Sequence, residues 1–143
     1  MRKLLLAGLM IAAACGGASA GGTMGQKSLY DRLGGKDAIA AVVGDFVGNI
    51  AGDALINEKF KNTDIPHLKA MLVEQICAAT GGPCKYTGRT MQDVHTGMRI
   101  TDAQFGALVG DLKKSLDKFK VPEREQTELL GALGAMKPDI VNR

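Results

Sequence analysis

Large aromatic side chains are scarce in this sequence of 143 residues, which contains no tryptophan, two tyrosines and four phenylalanines. Aromatic side chains dominate the buried area of many protein cores, so a chain of this length with so few of them has a modest core. We therefore expect some of its apolar faces to need a further apolar partner. The fractions of hydrophobic (45%) and charged (23%) residues are otherwise ordinary for one globular domain.

The sequence also lacks the sustained alternation of apolar and polar residues that is typical of β-strands. Instead, apolar residues recur every three or four positions, which places them on one face of a helix. Four stripes of this kind are Ile39, Val42, Val43, Phe46, Val47 and Ile50; Leu68, Met71, Leu72 and Ile76; Phe105, Leu108, Val109, Leu112 and Leu116; and Leu129, Leu130, Leu133 and Met136. The pattern predicts an all-α fold of five or six helices.

Several helix ends can be predicted from capping residues. Ser28 with Asp31, and Thr101 with Gln104, have the spacing of capping boxes. A short helical stretch is expected to hold residues 91–98. We expect Pro122 to begin the last helix and Pro138 to kink or end it.

The first twenty residues have the order of a secretory signal. Arg2 and Lys3 precede an apolar run at residues 4–14, and Ala18-Ser19-Ala20 is a small-x-small cleavage site. The run is too short to span a membrane. We predict a signal peptide at residues 1–20, a flexible linker at 21–27, a folded domain at 28–143 and an exported, periplasmic protein.

The leader can end in two ways. Cleavage after Ala20 releases a soluble protein, which we slightly favour. Alternatively, residues 12–15 resemble a bacterial lipobox, although they lack the usual aliphatic residue three positions before Cys15. In that case Cys15 would carry a lipid anchor, the one form of membrane attachment expected here, and residues 16–26 would be a flexible tether.

Clusters of positive charge are missing as well. Loss of Arg2 and Lys3 with the leader lowers the formal net charge from +3 to +1. The lysines of residues 113–120 alternate with acidic residues, as on a solvated helix face. Nucleic-acid binding needs clustered Lys and Arg, so no nucleic-acid partner is expected.

Three cysteines are present, and Cys77 and Cys84 remain once Cys15 is removed or lipidated. An even pair in an oxidising compartment predicts a disulfide, which residues 81–83 (Gly-Gly-Pro) could allow by turning the chain. We expect it to stabilise the fold by roughly 2–3 kcal/mol. A zinc site is disfavoured because the spacing is not C-x2-C and no second pair exists.

Motifs for nucleophilic catalysis and phosphate binding are absent, and the chain has only two histidines, His67 and His95. His67 is expected at the surface. His95 lies beside Val94 and Met98, where an imidazole is either a core residue with one hydrogen bond or a metal ligand. Composition alone favours the core residue.

Three parts of the chain resemble the group I truncated haemoglobins. They are residues 28–35 (SLYDRLGG), residues 80–83 (TGGP) followed by 86–89 (YTGR), and residues 91–95 (MQDVH) followed by 100–105 (ITDAQF). They resemble, in that order, the opening of the family's domain, its glycine-rich link between the distal and proximal helices, and its proximal helix with the start of the next. The likeness extends over residues 28–141, in the right order and spacing.

The resemblance implies a shortened globin in which two helices pack over two around a non-covalent haem. His95 would be the iron's protein ligand through a neutral imidazole nitrogen. Phe60 would pack on the porphyrin, and Lys69, Tyr86 and Arg89 are candidates to pair with its propionates. Further contacts are expected from Leu68, Leu72, Met91, Val94 and Met98. A c-type covalent link is excluded because the sequence contains no C-x-x-C-H.

The distal side departs from the family's usual pattern. A tyrosine often follows the phenylalanine of the second helix, whereas Val47 follows Phe46 here. The first distal position of the next helix often carries glutamine, whereas this chain has Leu68, followed by Leu72. We expect an apolar pocket, with Gln75 as the nearest amide. Each missing hydrogen bond to a polar ligand would cost about 1.5–3 kcal/mol, which predicts low discrimination in favour of O2.

By this resemblance the protein would bind O2 or another diatomic gas reversibly at a five-coordinate haem iron, which favours a gas-binding protein over an enzyme. One alternative is a haem enzyme or redox protein, for example in nitric oxide detoxification or peroxidase-like chemistry. It would need an external reductase because the chain has no flavin or nicotinamide motif. Ligation of the iron by Met71 or His67 would favour a redox role. The third hypothesis is a helical interaction module that holds no haem.

Overall fold

The computed structural model describes residues 25–143, so the predicted leader and the first four linker residues lie outside the described part. The described chain forms seven α-helices: α1 Leu29–Arg32, α2 Gly35–Gly52, α3 Ile65–Ala79, α4 Met91–His95, α5 Asp102–Lys118, α6 Glu123–Gly134 and α7 Lys137–Ile140. A 3₁₀ helix, Asn57–Phe60, joins α2 to α3. Within residues 25–143 the sole β-type contact is one bridge between Ile100 and Val141, so the all-α prediction is confirmed.

The predicted helix caps form in the structure. Ser28 and Asp31 make a capping box at α1, and Thr101 and Gln104 make one at α5. The Asp64 carboxylate accepts a hydrogen bond from a backbone N–H in the first turn of α3. These bonds satisfy donors that the helix itself leaves unpaired, and so fix where each helix begins.

Three predicted boundaries differ from the structure. α4 ends at His95, and Met98 lies in the following turn. Pro122 is the residue before α6, which ends at Gly134. Pro138 lies in the first turn of a separate helix, α7, where its missing N–H removes no helical bond. The helices outnumber the prediction because α7 is a single turn with too few residues to show a periodic pattern.

The core lies around α2, which packs against both α3 and α5. All six residues of its predicted stripe are buried, and Val43 is completely buried. Leu116 of α5 and Leu129 of α6 complete the same cluster. The four longer helices thus form a two-over-two arrangement, as the resemblance implied. Among the described residues no helix combines the length and hydropathy needed to cross a membrane.

Two connections hold the N-terminal helix and the end of α3 in place. Arg32 of α1 forms ion pairs with Glu125 and Glu128 of α6. Cys77, which is completely buried on α3, is joined to Cys84 by a disulfide with a Cα–Cα distance of 5.7 Å. The disulfide fastens the segment that leads from α3 to α4.

Candidate functional site

A cavity of about 630 Å³ lies among the helices α2 to α6 and the segment between α3 and α4. Its volume falls in the range typical of sites for small molecules and cofactors. Apolar side chains make up most of its lining. The sequence predicted a domain with apolar faces that need a partner, and this cavity is where such faces meet.

Helix α4 places His95 in the wall of the cavity. Thr90 caps this helix by accepting a hydrogen bond from the Asp93 N–H. The His95 Nδ1 lies 2.7 Å from the carbonyl oxygen of Met91, one turn earlier. A carbonyl oxygen can only accept, so Nδ1 carries the ring proton and Nε2 keeps a free lone pair. Histidines that ligate metals are commonly oriented by such a bond to a backbone carbonyl.

The wall contributed by α2 and α3 is apolar, as predicted. Phe46, Leu68 and Leu72 line the cavity together with Ile76. Val47, at the position where the family often has tyrosine, is buried and does not line the cavity. None of these side chains can donate a hydrogen bond to a ligand.

One amide interrupts the apolar lining on α3. The Gln75 Nε2 donates to the sulfur of Met91 at 3.1 Å and lies 3.4 Å from the sulfur of Met136. Thioether sulfurs are weak acceptors. Gln75 therefore connects α3 to α4, the helix of His95, through weak bonds.

Nine of the ten residues named from the sequence as cofactor contacts line this cavity. They are Phe60, Leu68, Leu72, Tyr86, Arg89, Met91, Val94, His95 and Met98. The structure therefore brings together residues that span almost forty positions of the chain. Their contact with haem itself remains a prediction. Lys69, a further candidate for the propionates, does not line the cavity.

Polar groups gather at part of the lining. The Tyr86 hydroxyl donates to the carbonyl oxygen of Arg89 at 2.9 Å, and burial raises the pKa of Tyr86, with the nearby Glu74 charge adding to the shift. Arg89 and His67 line the cavity yet are exposed, so they lie where it opens to solvent. The surface position predicted for His67 is thus correct, although the sequence did not reveal its place at the opening.

Lys59 was missed by the sequence analysis. It lines the cavity from the 3₁₀ helix, and its Nζ donates to the carbonyl oxygen of Met98 at 2.8 Å. One lysine in a segment without periodicity gives no signal in the sequence. Only the fold brings it beside residues almost forty positions later.

These groups fit a haem. A porphyrin needs a wide apolar slot, one axial nitrogen and cations near its two carboxylates. The cavity provides the apolar lining, the free Nε2 of His95, and the charges of Lys59 and Arg89. Within residues 25–143 no group of three His, Cys, Asp or Glu side chains could hold a metal ion together. The free Nε2 of His95 suits a metal whose other ligands come from an organic ring.

Known proteins support the same interpretation. A family model described as bacterial-like globin matches residues 28–142. The group 1 truncated haemoglobin GlbN of Mycolicibacterium paratuberculosis is 39% identical over 113 residues, which cover 79% of this chain and 83% of that protein. The chain belongs to the group 1 truncated haemoglobins.

Solved structures agree with this assignment. The Fe(III) form of the truncated haemoglobin from Tetrahymena pyriformis has a TM-score of 0.79 and 26% identity to this globin, and the match covers 82% of this chain and 100% of that one. The 2/2 haemoglobin from Synechococcus, solved in the cyanomet state with covalently attached haem, has a TM-score of 0.77 and 29% identity, with the same coverage. This chain is accordingly a haem-binding globin of the two-over-two fold.

Proposed function

We propose that this globin is exported and binds a small diatomic gas reversibly at a non-covalent, five-coordinate haem held by His95. The observation that carries the proposal is the position of His95 in the wall of a mainly apolar cavity, with its Nδ1 committed to the Met91 carbonyl and its Nε2 free. Ferrous haem supplies an open coordination position for such a gas. The protein supplies the axial nitrogen, the shape of the site and its exclusion of water.

The apolar wall determines which gases are favoured. Phe46, Leu68 and Leu72 keep water from the site but offer no donor to a ligand. A polar ligand such as O2 therefore gains no stabilisation from them, whereas CO, which is less polar, loses little. Low discrimination in favour of O2 follows from this lining.

Two features support non-covalent attachment. The residues that line the cavity include no cysteine, and the chain has no C-x-x-C-H sequence. A covalently attached haem is known in the Synechococcus relative. Extraction with acidified organic solvent distinguishes the two modes, and we expect the haem of this globin to leave the protein completely.

Export is supported by the leader and suits the cysteine pair. Disulfides persist in oxidising compartments, where the bond between Cys77 and Cys84 would form. We propose cleavage after Ala20 and a soluble periplasmic product. Mass spectrometry of the processed protein would give a free N-terminus at Gly21, whereas a lipid on Cys15 would establish an anchored form.

The test of the function is reconstitution of residues 21–143 with haemin. We expect a Soret band in the ferric, ferrous and CO forms, and its loss or a strong decrease in His95→Ala. His67→Ala is the matched control because it removes the other histidine that lines the cavity, and it should leave the spectra unchanged. A protein that stays colourless with haemin would disprove the proposal.

The same spectra test a redox function. Met71 lines the cavity, and methionine can ligate haem iron. A six-coordinate spectrum that becomes five-coordinate in Met71→Leu would favour electron transfer over gas binding. We expect no such change.

A further inference from the structure

The segment from Cys84 to Thr90, here called the strap, connects α3 to α4. Tyr86, Thr87, Gly88 and Arg89 of the strap line the cavity, and Thr87 and Arg89 are exposed. The strap therefore closes the cavity at a place where it meets solvent. It ends at Thr90, the cap of the helix that carries His95.

The strap is fastened to α3 at its first residue. Cys84 is bonded to Cys77, whose side chain is completely buried. Cys84 itself is only half-buried, so a thiol can approach the bond from the Cys84 side.

A second fastening lies one turn earlier on the same face of α3. The Glu74 Oε2 accepts hydrogen bonds from the Thr87 backbone N–H at 3.0 Å and from the Thr87 hydroxyl at 2.8 Å. Lys36 of α2 and His67 of α3 are the charged or titratable neighbours that favour the ionised carboxylate. Since Glu74 and Cys77 are three positions apart, as are Cys84 and Thr87, the two fastenings hold the strap in register along α3.

The strap also has a packed shape of its own. A Cβ added at Gly88 would lie 2.3 Å from the Tyr86 hydroxyl oxygen and 2.5 Å from the ring carbon that bears it. The same hydroxyl donates to the Arg89 carbonyl. These two contacts fold the strap on itself around the Tyr86 side chain.

We propose that the strap is the gate through which haem leaves the cavity, and that the Cys77–Cys84 disulfide and the Glu74–Thr87 hydrogen bonds hold it shut. The inference rests on the proposed function, because it assumes that haem occupies this cavity. Opening both fastenings frees the exposed side of the cavity while the Met91 carbonyl still orients His95. Glu74 acts as a positioning residue, through Thr87.

A dithiol opens the covalent fastening in a balanced exchange. The S–S bond between Cys77 and Cys84 breaks and takes up two electrons and two protons, giving two thiols, while the dithiol is oxidised to its own disulfide. The Glu74–Thr87 hydrogen bonds then remain as the second fastening of the strap to α3.

The experiment measures transfer of haem from the ferric holoprotein to an excess of a haem-free acceptor globin. We compare the oxidised protein with the same protein after treatment with dithiothreitol, and with Cys84→Ser. Reduction and Cys84→Ser should each speed haem transfer about tenfold or more. We expect a change of this size when the disulfide that closes the short loop from Cys77 to Cys84 is lost. Dithiothreitol should not change the rate of Cys84→Ser, which controls for direct action of the reductant on haem.

Glu74→Ala tests the second fastening. It should speed transfer at least about threefold, since two hydrogen bonds to a carboxylate are lost at a partly exposed site. Glu74→Gln keeps an acceptor and should restore part of the slow rate. Glu58→Ala is the matched control because Glu58 is an exposed carboxylate outside the cavity lining.

A general loss of stability must be separated from opening of the strap. Asp45→Ala breaks bonds to Ser115 and Lys118 between α2 and α5, away from the cavity lining. It should lower the urea midpoint but leave haem transfer unchanged, whereas Cys84→Ser should keep the His95-ligated Soret spectrum and speed transfer. If the protein binds haemin but neither reduction nor Glu74→Ala changes its rate of haem transfer, the strap proposal is wrong. If it binds no haemin, the proposed function itself fails.

Discussion

The Nδ1 of His95 lies 2.7 Å from the carbonyl oxygen of Met91, its neighbour one turn earlier in α4. The bond fixes the ring's tautomer and leaves Nε2 as the only nitrogen that can bind a metal. It depends on the geometry of a helix of five residues. The stability of that helix therefore controls the axial ligand.

The N-cap of α4 offers a test of this dependence. Thr90→Ala removes the hydroxyl that accepts the Asp93 N–H at 3.1 Å. We expect a loss of about 1 kcal/mol of stability and weaker haem retention, because the last turn of α4 frays. Urea unfolding and haemin titration measure the two effects. Thr90→Ser keeps the cap and should behave like the natural protein, whereas equal loss in both variants would rule out a capping effect.

The cavity wall formed by Phe46, Leu68 and Leu72 lacks a hydrogen-bond donor, and a substitution can supply one. Leu68→Gln places an amide at a position that lines the cavity. We expect O2 release to slow by about tenfold or more, equivalent to about 1.5 kcal/mol or more of hydrogen bonding, with a smaller effect on CO. Leu68→Met preserves the apolar character and should change neither rate much. Slow O2 release in the natural protein, equal to that of Leu68→Gln, would contradict the apolar-pocket account.

The Glu74–Thr87 fastening predicts a dependence on pH. Hydrogen bonds from the Thr87 hydroxyl and backbone N–H lower the pKa of Glu74 against the opposing effect of burial, and the charges of Lys36 and His67 add to the shift. A carboxyl group whose pKa is lowered in the folded state stabilises the fold at pH values above its ordinary pKa. This stabilisation is lost as the pH falls through the lowered pKa. The stability difference between the natural protein and Glu74→Gln should therefore be constant near neutrality and shrink in acid. A stability difference between the two proteins that grows on acidification would contradict this prediction.

The packing of the core around α2 predicts how much stability is lost when a buried side chain is shortened. Leu116 is 1% exposed, whereas Leu55 is 53% exposed. Leu116→Ala should lower the free energy of unfolding by about 2–5 kcal/mol, because it deletes contacts that the packed core cannot replace. Leu55→Ala should change it by less than about 0.5 kcal/mol. Similar losses in both variants would mean that α5 does not pack as described.

The sequence predicted the long helices because their apolar stripes must face a core. The six stripe residues of α2 and both capping boxes are in place. The single-turn helix α7 was beyond this reasoning, since four residues contain no period. For the same reason Pro138 was assigned to the end of the preceding helix, although it lies in α7.

The site was predictable in part. The resemblance to the truncated haemoglobins identified His95 and its apolar neighbours as site residues, because the family's short motifs occupy fixed places along the chain. The bond from Lys59 to Met98 and the Glu74–Thr87 pair depend on how separate segments of the chain meet in space. No spacing in the sequence encodes such contacts.

The central claim is that the imidazole of His95 is the axial ligand of the haem, and a cavity variant tests it most directly. His95→Gly removes the ring and leaves space for free imidazole. We predict that the variant loses the ferrous five-coordinate histidine spectrum and regains it when imidazole is added. An unchanged spectrum in His95→Gly without imidazole would contradict the account.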